Sequence, residues 1–163
     1  MWVPVQAHGE RQREELKVLA VNEADQRWLN ALMLISRDLP RTFRTRMASC
    51  MVHKGRVVAW GFNQAKSHPL AARFCKHSEA IFLHAELDCI RNATRVLDQR
   101  GLGRSTLYTV RVKRAESEGR TMVQGLAKPC KGCAAAIAAF GIGRAVWSTE
   151  GQGFSCTAVE EIA

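Results

Sequence analysis

Two short motifs, far apart in this chain, have to meet once it folds. The first is His84-Ala85-Glu86; the second, some forty residues further on, is Lys128-Pro129-Cys130-Lys131-Gly132-Cys133. One imidazole and two thiolates can hold a zinc ion with three protein ligands, leaving the fourth position for water. That is the arrangement of a catalytic zinc rather than a structural one. Each half is unremarkable alone: a lone histidine is usually a surface or satisfied core residue, and a lone C-x-x-C can be a zinc knuckle or a redox pair. A closed structural centre needs a fourth ligand, for which Cys75, His77 and Cys89 are candidates.

The surrounding pattern is that of a layered α/β domain. Asn22–Leu39 reads as a helix, with Asn22 able to cap, Glu23 and Asp25 in the first turn and Pro40 as the stop. Trp28, Leu32 and Ile35 lie on one stripe, widened by Leu29 and Met33. Arg46–His53 and Arg56–Asn63 read as strands joined in a hairpin at Lys54-Gly55. Apolar residues alternate on both faces, Val57 and Ala59 against Val58, Trp60 and Phe62, so the sheet is expected to be covered on both sides. A loop over Gln64–Ser78, a helix over Leu83–Gln99 and a strand over Ser105–Lys113 follow. Arg114–Leu126 reads as a hairpin or loop. A helix from Pro129-Cys130 to Phe140 and a strand over Arg144–Thr149 come last, with room for one short strand at Gly151–Cys156. Residues 1–20 read as an N-terminal extension and 21–163 as one domain.

Placing the motifs on these helices constrains them further. Cys130, Cys133 and Ile137 fall at i, i+3 and i+7, so both thiols share one face, in a first turn whose free N–H groups favour thiolate. Glu86, Ile90, Ala93 and Leu97 form the apolar stripe of the preceding helix, so Glu86 points to the core, where desolvation raises its pKa. In a regular helix His84 lies nearly opposite Glu86. It must therefore sit at the very start, within a residue or two of the helix boundary. Two helix N-termini then converge on one metal-held water.

Charge and length bound the partners. The chain has 163 residues and a net charge of +9, and no acidic residue lies between Asp38 and Glu79. That stretch carries Arg41, Arg44, Arg46, Lys54, Arg56, Lys66, Arg73 and Lys76, which concentrates anions at the surface. Apolar runs such as Ala134–Gly143 fall far short of the roughly 20 residues that span a bilayer, so no membrane partner is expected. The N-terminus lacks a basic start followed by an apolar core, so no secretory signal is read and a cytoplasmic location is expected. The six cysteines are then expected to be reduced, with Cys50 and Cys89 as small buried thiols.

The joint pattern H-x-E…P-C-x-x-C is the signature of zinc-dependent nucleobase deamination. Zinc held there would acidify a water for attack on C4 of cytosine or C6 of adenine. Glu86 takes the proton, passes it to the ring nitrogen and later protonates the departing ammonia.

On these residues the chain resembles the cytidine and deoxycytidylate deaminase superfamily over roughly Asn22–Thr149. The resemblance implies a three-layer α/β/α cytidine-deaminase-like sandwich around a mixed sheet of about five strands. It also implies His84, Cys130 and Cys133 as zinc ligands, with Glu86 as proton shuttle. Gly61-Phe62-Asn63 matches the family's G-[YF]-N, whose asparagine contacts the substrate sugar; a plain turn former is the alternative for Asn63. The stretch Gly61–Arg95 is most similar to small phage-type deoxycytidylate deaminases, which implies a phage-encoded enzyme acting in the host cytoplasm. Relatives imply a homo-oligomer; by family similarity a second metal or regulatory site at Cys75–His77 is one reading, and a loop carrying an incidental Cys and His is the favoured one. Two departures stand out. The family's glycine-rich loop is replaced by Gln64-Ala65-Lys66-Ser67-His68-Pro69, and little chain follows Thr149.

The substrate is expected to be a small cytosine nucleotide, dCMP first. Lys66, His68 and Arg73 are candidates for its phosphate, with Asn63, Ala85 and Pro129 lining the pocket. A tRNA adenosine or DNA cytosine deaminase is the second reading, since few aromatics interleave with the basic residues as base-stacking platforms require. A free nucleoside or base is a further substrate reading. A non-catalytic zinc-binding module is the least favoured.

Overall fold

A computed structural model describes residues 21–40, 45–76, 82–115 and 121–151, and the backbone of 154–158. The 1–20 extension and His77 lie outside the described residues. Helix α1 (Glu23–Asp38) opens the described chain with a complete capping box: Asn22 Oδ1 accepts the Asp25 N–H and Asp25 Oδ2 accepts that of Asn22, both at 2.9 Å. Its buried stripe runs through Leu29, Leu32, Met33 and Ser36, with Trp28 and Ile35 at its half-exposed margins.

Strands β1 (Thr45–His53) and β2 (Arg56–Phe62) form an antiparallel hairpin. Lys54 and Gly55 both have positive φ, 50° and 72°, the left-handed pair that a two-residue turn needs to match strand twist. A bulge shifts the register between Met51 and Val52, pairing Met51 with Ala59 and Val52 with Val57. Val58 is the extra residue, so the expected strict alternation fails there: Val57 packs with α1 while Val58 and Ala59 both face the opposite core.

After β2 the expected loop over 64–78 contains a short helix, α2 (Pro69–Phe74), whose N-cap His68 accepts the Leu70 N–H through Nδ1 at 3.1 Å. The expected single helix over 83–99 is two, α3 (Ala85–Ala93) and α4 (Gln99–Gly103). Thr94 turns its hydroxyl back onto the Arg91 carbonyl at 2.8 Å, and Asp98 starts the second helix by capping the Gly101 N–H at 2.7 Å. Then come β3 (Ser105–Arg114), β4 (Met122–Gly125), α5 (Lys131–Ala139), β5 (Arg144–Ser148) and β6 (Phe154–Ala158).

The sheet runs in the order β2-β1-β3-β5-β6, with β4 pairing the far end of β3. Among the described residues only the β3–β5 pairing is parallel, so the sheet is mixed, and it counts six strands there against the expected five or so. Leu29, Leu32 and Met33 of α1 cover one face, against Ala48, Cys50, Val110 and Val146. Leu87 and Ile90 of α3 and Ala136 and Ile137 of α5 cover the other, against Met51, Leu107, Ala145 and Trp147. The result is the three-layer α/β/α sandwich. Gly61 sets how closely α3 lies on the sheet: a Cβ there would stand 2.2 Å from both the Ala85 carbonyl oxygen and the Cys89 nitrogen.

Candidate active site

Both motifs open helices on the same sheet face. His84 is the N-cap of α3, extended at φ −72° and ψ 150°, and its side chain makes no capping bond. That resolves the conflict with helical spacing, because a residue outside the helix need not point where the 100° step would send it. Its ring turns to the second motif, with Nδ1 3.3 Å from Cys133 Sγ and 3.6 Å from Cys130 Sγ. Cys130 is the N-cap of α5, its sulfur accepting the Cys133 N–H at 3.5 Å, and Cys133 is buried in the first turn.

Glu86 lies in the first turn of α3, 2 % exposed, and its Oε2 has no hydrogen-bond partner among the described residues. Burial pushes its carboxyl above the ordinary value, with smaller effects from its own backbone N–H and from His84. The bond from Cys133 draws the Cys130 thiol down to about 3, against the opposing effect of burial. His84 is raised to about 9, chiefly by its bond to Cys130, again against burial. Cys133 is held well above its usual range by the bond to Cys130 first, then by Cys75 and by burial.

The donor set of one imidazole and two cysteine sulfurs suits zinc. The unpartnered Glu86 oxygen beside it fits a site built for a further polar occupant.

A cavity of about 670 Å³ opens onto these groups; its lining includes His84, Glu86, Cys130, Asn63, Phe82, Arg111 and Lys128. Asn63 Oδ1 accepts the Met47 N–H at 2.8 Å and its amide reaches the Thr45 carbonyl at 3.4 Å, so the β1 backbone fixes the side chain at the rim. A second amide hydrogen remains for a ligand. Ala85 is buried and Pro129 half-buried, each next to a motif residue.

The lining does not include Lys66, His68 or Arg73. Lys66 is exposed, His68 caps α2, and Arg73 lies over the Phe74 ring at 5.0 Å. The cations in the cavity wall are Arg111, on β3, and Lys128, just before the second motif. Neither was given a role in the sequence analysis, although Lys128 was quoted as part of the second motif. Lys128 abuts the Pro-Cys pair, and Arg111 interrupts the apolar run of β3, which is the signal that could have pointed to it.

Residues 22–149 match the family described as the cytidine and deoxycytidylate deaminase zinc-binding region, and the chain belongs to that family. No curated protein sequence matches. Among solved structures, the apo form of dCMP deaminase from the cyanophage S-TIM5 is similar at 16% identity, over 76% of this chain and 81% of that one, with a TM-score of 0.47. The same enzyme in complex with dCMP and dUMP is similar at 17% identity, over 80% and 85% of the two chains, also with a TM-score of 0.47. Among the described residues no helix is long and apolar enough to cross a membrane.

Proposed function

We propose that this chain is a zinc-dependent hydrolytic deaminase of a cytosine nucleotide, dCMP in the first place, converting it to the uracil nucleotide and ammonia. The observation that carries this reading is one cavity holding a buried, unpartnered Glu86 oxygen, two metal-type donors and two cations. Zinc, when bound by His84, Cys130 and Cys133, supplies the Lewis acidity that makes water a nucleophile at neutral pH.

The chain's own groups do the rest. Glu86 Oε2 takes one proton from water and delivers it to N3 of the cytosine ring, then takes the remaining proton from the hydroxyl added at C4 and passes it to the amino group, so that ammonia leaves as the C4–N bond breaks and the C4 carbonyl forms. Its raised pKa suits a group that must be base and then acid. Arg111 and Lys128 hold the 5′-phosphate, Asn63 meets the sugar, and Phe82 offers a ring face to the base. Lys66 and Arg73, outside the cavity wall, add to the positive field that draws the nucleotide in. The homo-oligomer and the cytoplasmic setting belong to the same proposal.

A side-by-side ammonia-release assay tests it, with dCMP, CMP, dCTP, deoxycytidine, single-stranded DNA and tRNA as substrates. Turnover is expected on the mononucleotides, with dCMP best. Turnover confined to the polynucleotides, steeply weakened by salt, overturns the substrate assignment.

A further inference from the structure

Cys75 belongs to neither motif, yet it stands at the site. Its sulfur, the His84 ring nitrogen and the Cys130 sulfur all lie within 4.8 Å of one another. With Cys133 Sγ 3.3 Å from the same ring, three thiols surround one imidazole.

The fold builds this approach. Cys75 is the C-cap of α2, held by its N–H on the Ala71 carbonyl at 2.8 Å, and is 1 % exposed. The neighbouring Phe74 stacks at a tilt on Phe140 of the α5 C-cap, ring centroids 6.1 Å apart. Between the motif cysteines, Gly132 leaves the space: a Cβ there would lie 2.6 Å from Cys75 Sγ and 2.9 Å from the Phe74 carbonyl oxygen. No side chain larger than hydrogen fits there without displacing Cys75. The cavity wall includes His84, Glu86 and Cys130 but neither Cys75 nor Cys133, so Cys75 reaches the donors from the side away from the substrate opening.

We propose that Cys75 is a fourth ligand of the metal held by His84, Cys130 and Cys133, so that the substrate-free centre is a closed set of three thiolates and one imidazole. This rests on the reading of those three residues as the metal site. Three cysteines and one histidine are a tetrahedral donor set that zinc takes readily. A third thiolate leaves the centre with a net charge of −1 instead of zero, which weakens its pull on water electrons. Catalysis then requires either that Cys75 withdraws or that the metal accepts a fifth ligand from the cavity side.

Cobalt(II) reports the thiolate count directly, because its sulfur-to-metal charge-transfer absorption grows with each thiolate bound. Cys75→Ser is expected to lower that band by about a third relative to wild type, the change from three thiolates to two. X-ray absorption of the wild-type zinc protein, which needs no variant, is expected to show three sulfur neighbours and one nitrogen. Two sulfurs in the wild type, or a cobalt band unchanged by Cys75→Ser, overturn the proposal. Two sulfurs together with cytosine-nucleotide turnover leave the deaminase reading standing without it. A protein that binds neither metal loses both.

Discussion

The Phe62 N–H donates to Asp88 Oδ2 at 3.1 Å, tying the end of β2 to the helix that carries Glu86. The same oxygen accepts Gln64 Nε2 at 2.9 Å, and Arg91 pairs with Oδ1 at 2.6 Å. Asp88, two residues past Glu86 and 3 % exposed, therefore clamps both neighbours of Asn63. Asp88→Ala strands the backbone donor of Phe62. The expected loss is about 1–3 kcal/mol of stability in urea unfolding. The expected kinetic effect is a KM for dCMP raised more than kcat is lowered, since Asn63 shifts while Glu86 stays.

Glu86→Gln removes the carboxylate and keeps the shape. Turnover is expected to fall about 10²–10⁴-fold, the range for a positioned acid–base group. Zinc content, measured on the same sample by elemental analysis, is expected to stay at the wild-type level. Cys130→Ala is expected to lose zinc as well as turnover.

Arg111 reaches the Thr45 hydroxyl at 3.3 Å through Nη2, while its buried Nε has no acceptor among the described residues. A phosphate oxygen would satisfy that group. Arg111→Ala is expected to raise the KM for dCMP about 10–100-fold, the loss of one charged hydrogen-bonding partner. The KM for deoxycytidine, which has no phosphate, is expected to change little. Equal effects on both substrates would remove Arg111 from phosphate binding.

The meeting of His84, Glu86, Cys130 and Cys133 was legible because the chemistry proposed for them demands fixed residue types at short spacing, and because Pro129 stands just before the start of α5. His84 was placed at a helix boundary by a conflict of angles, and the N-cap is where it stands. What sequence could not show was set by long-range packing. The bulge at Val58 and the break after Ala93 depend on neighbours far along the chain. Arg111 faces the cavity because β3 pairs Met47 on one side and Gly125 on the other. Cys75 was one of three candidates for a fourth ligand, and it is the packing of α2 on α5, which no local pattern encodes, that brings it to His84.

The far side of the sheet makes a prediction independent of catalysis. Arg144 grips Asp25 at both oxygens, at 2.6 and 2.7 Å, and the Tyr108 hydroxyl donates to Asp25 Oδ1 at 2.7 Å. The pair fastens α1 to the start of β5 across 119 residues. Burial alone would raise the Asp25 pKa, but the bonds from Arg144, the Asn22 N–H and Tyr108 outweigh it and hold the pKa below the ordinary 3.8. A carboxylate with a depressed folded pKa stabilises the protein fully above its unfolded pKa. That contribution fades as pH falls below 3.8 and through the folded value. Wild type is therefore expected to lose stability in this acid window, and Asp25→Asn to show a flatter profile there. At neutral pH Asp25→Ala removes the carboxylate that Arg144 and Tyr108 share, an expected cost of about 3 kcal/mol. Urea unfolding of the three proteins at neutral and acid pH measures both effects, and parallel acid slopes for wild type and Asp25→Asn would show that Asp25 does not titrate with folding.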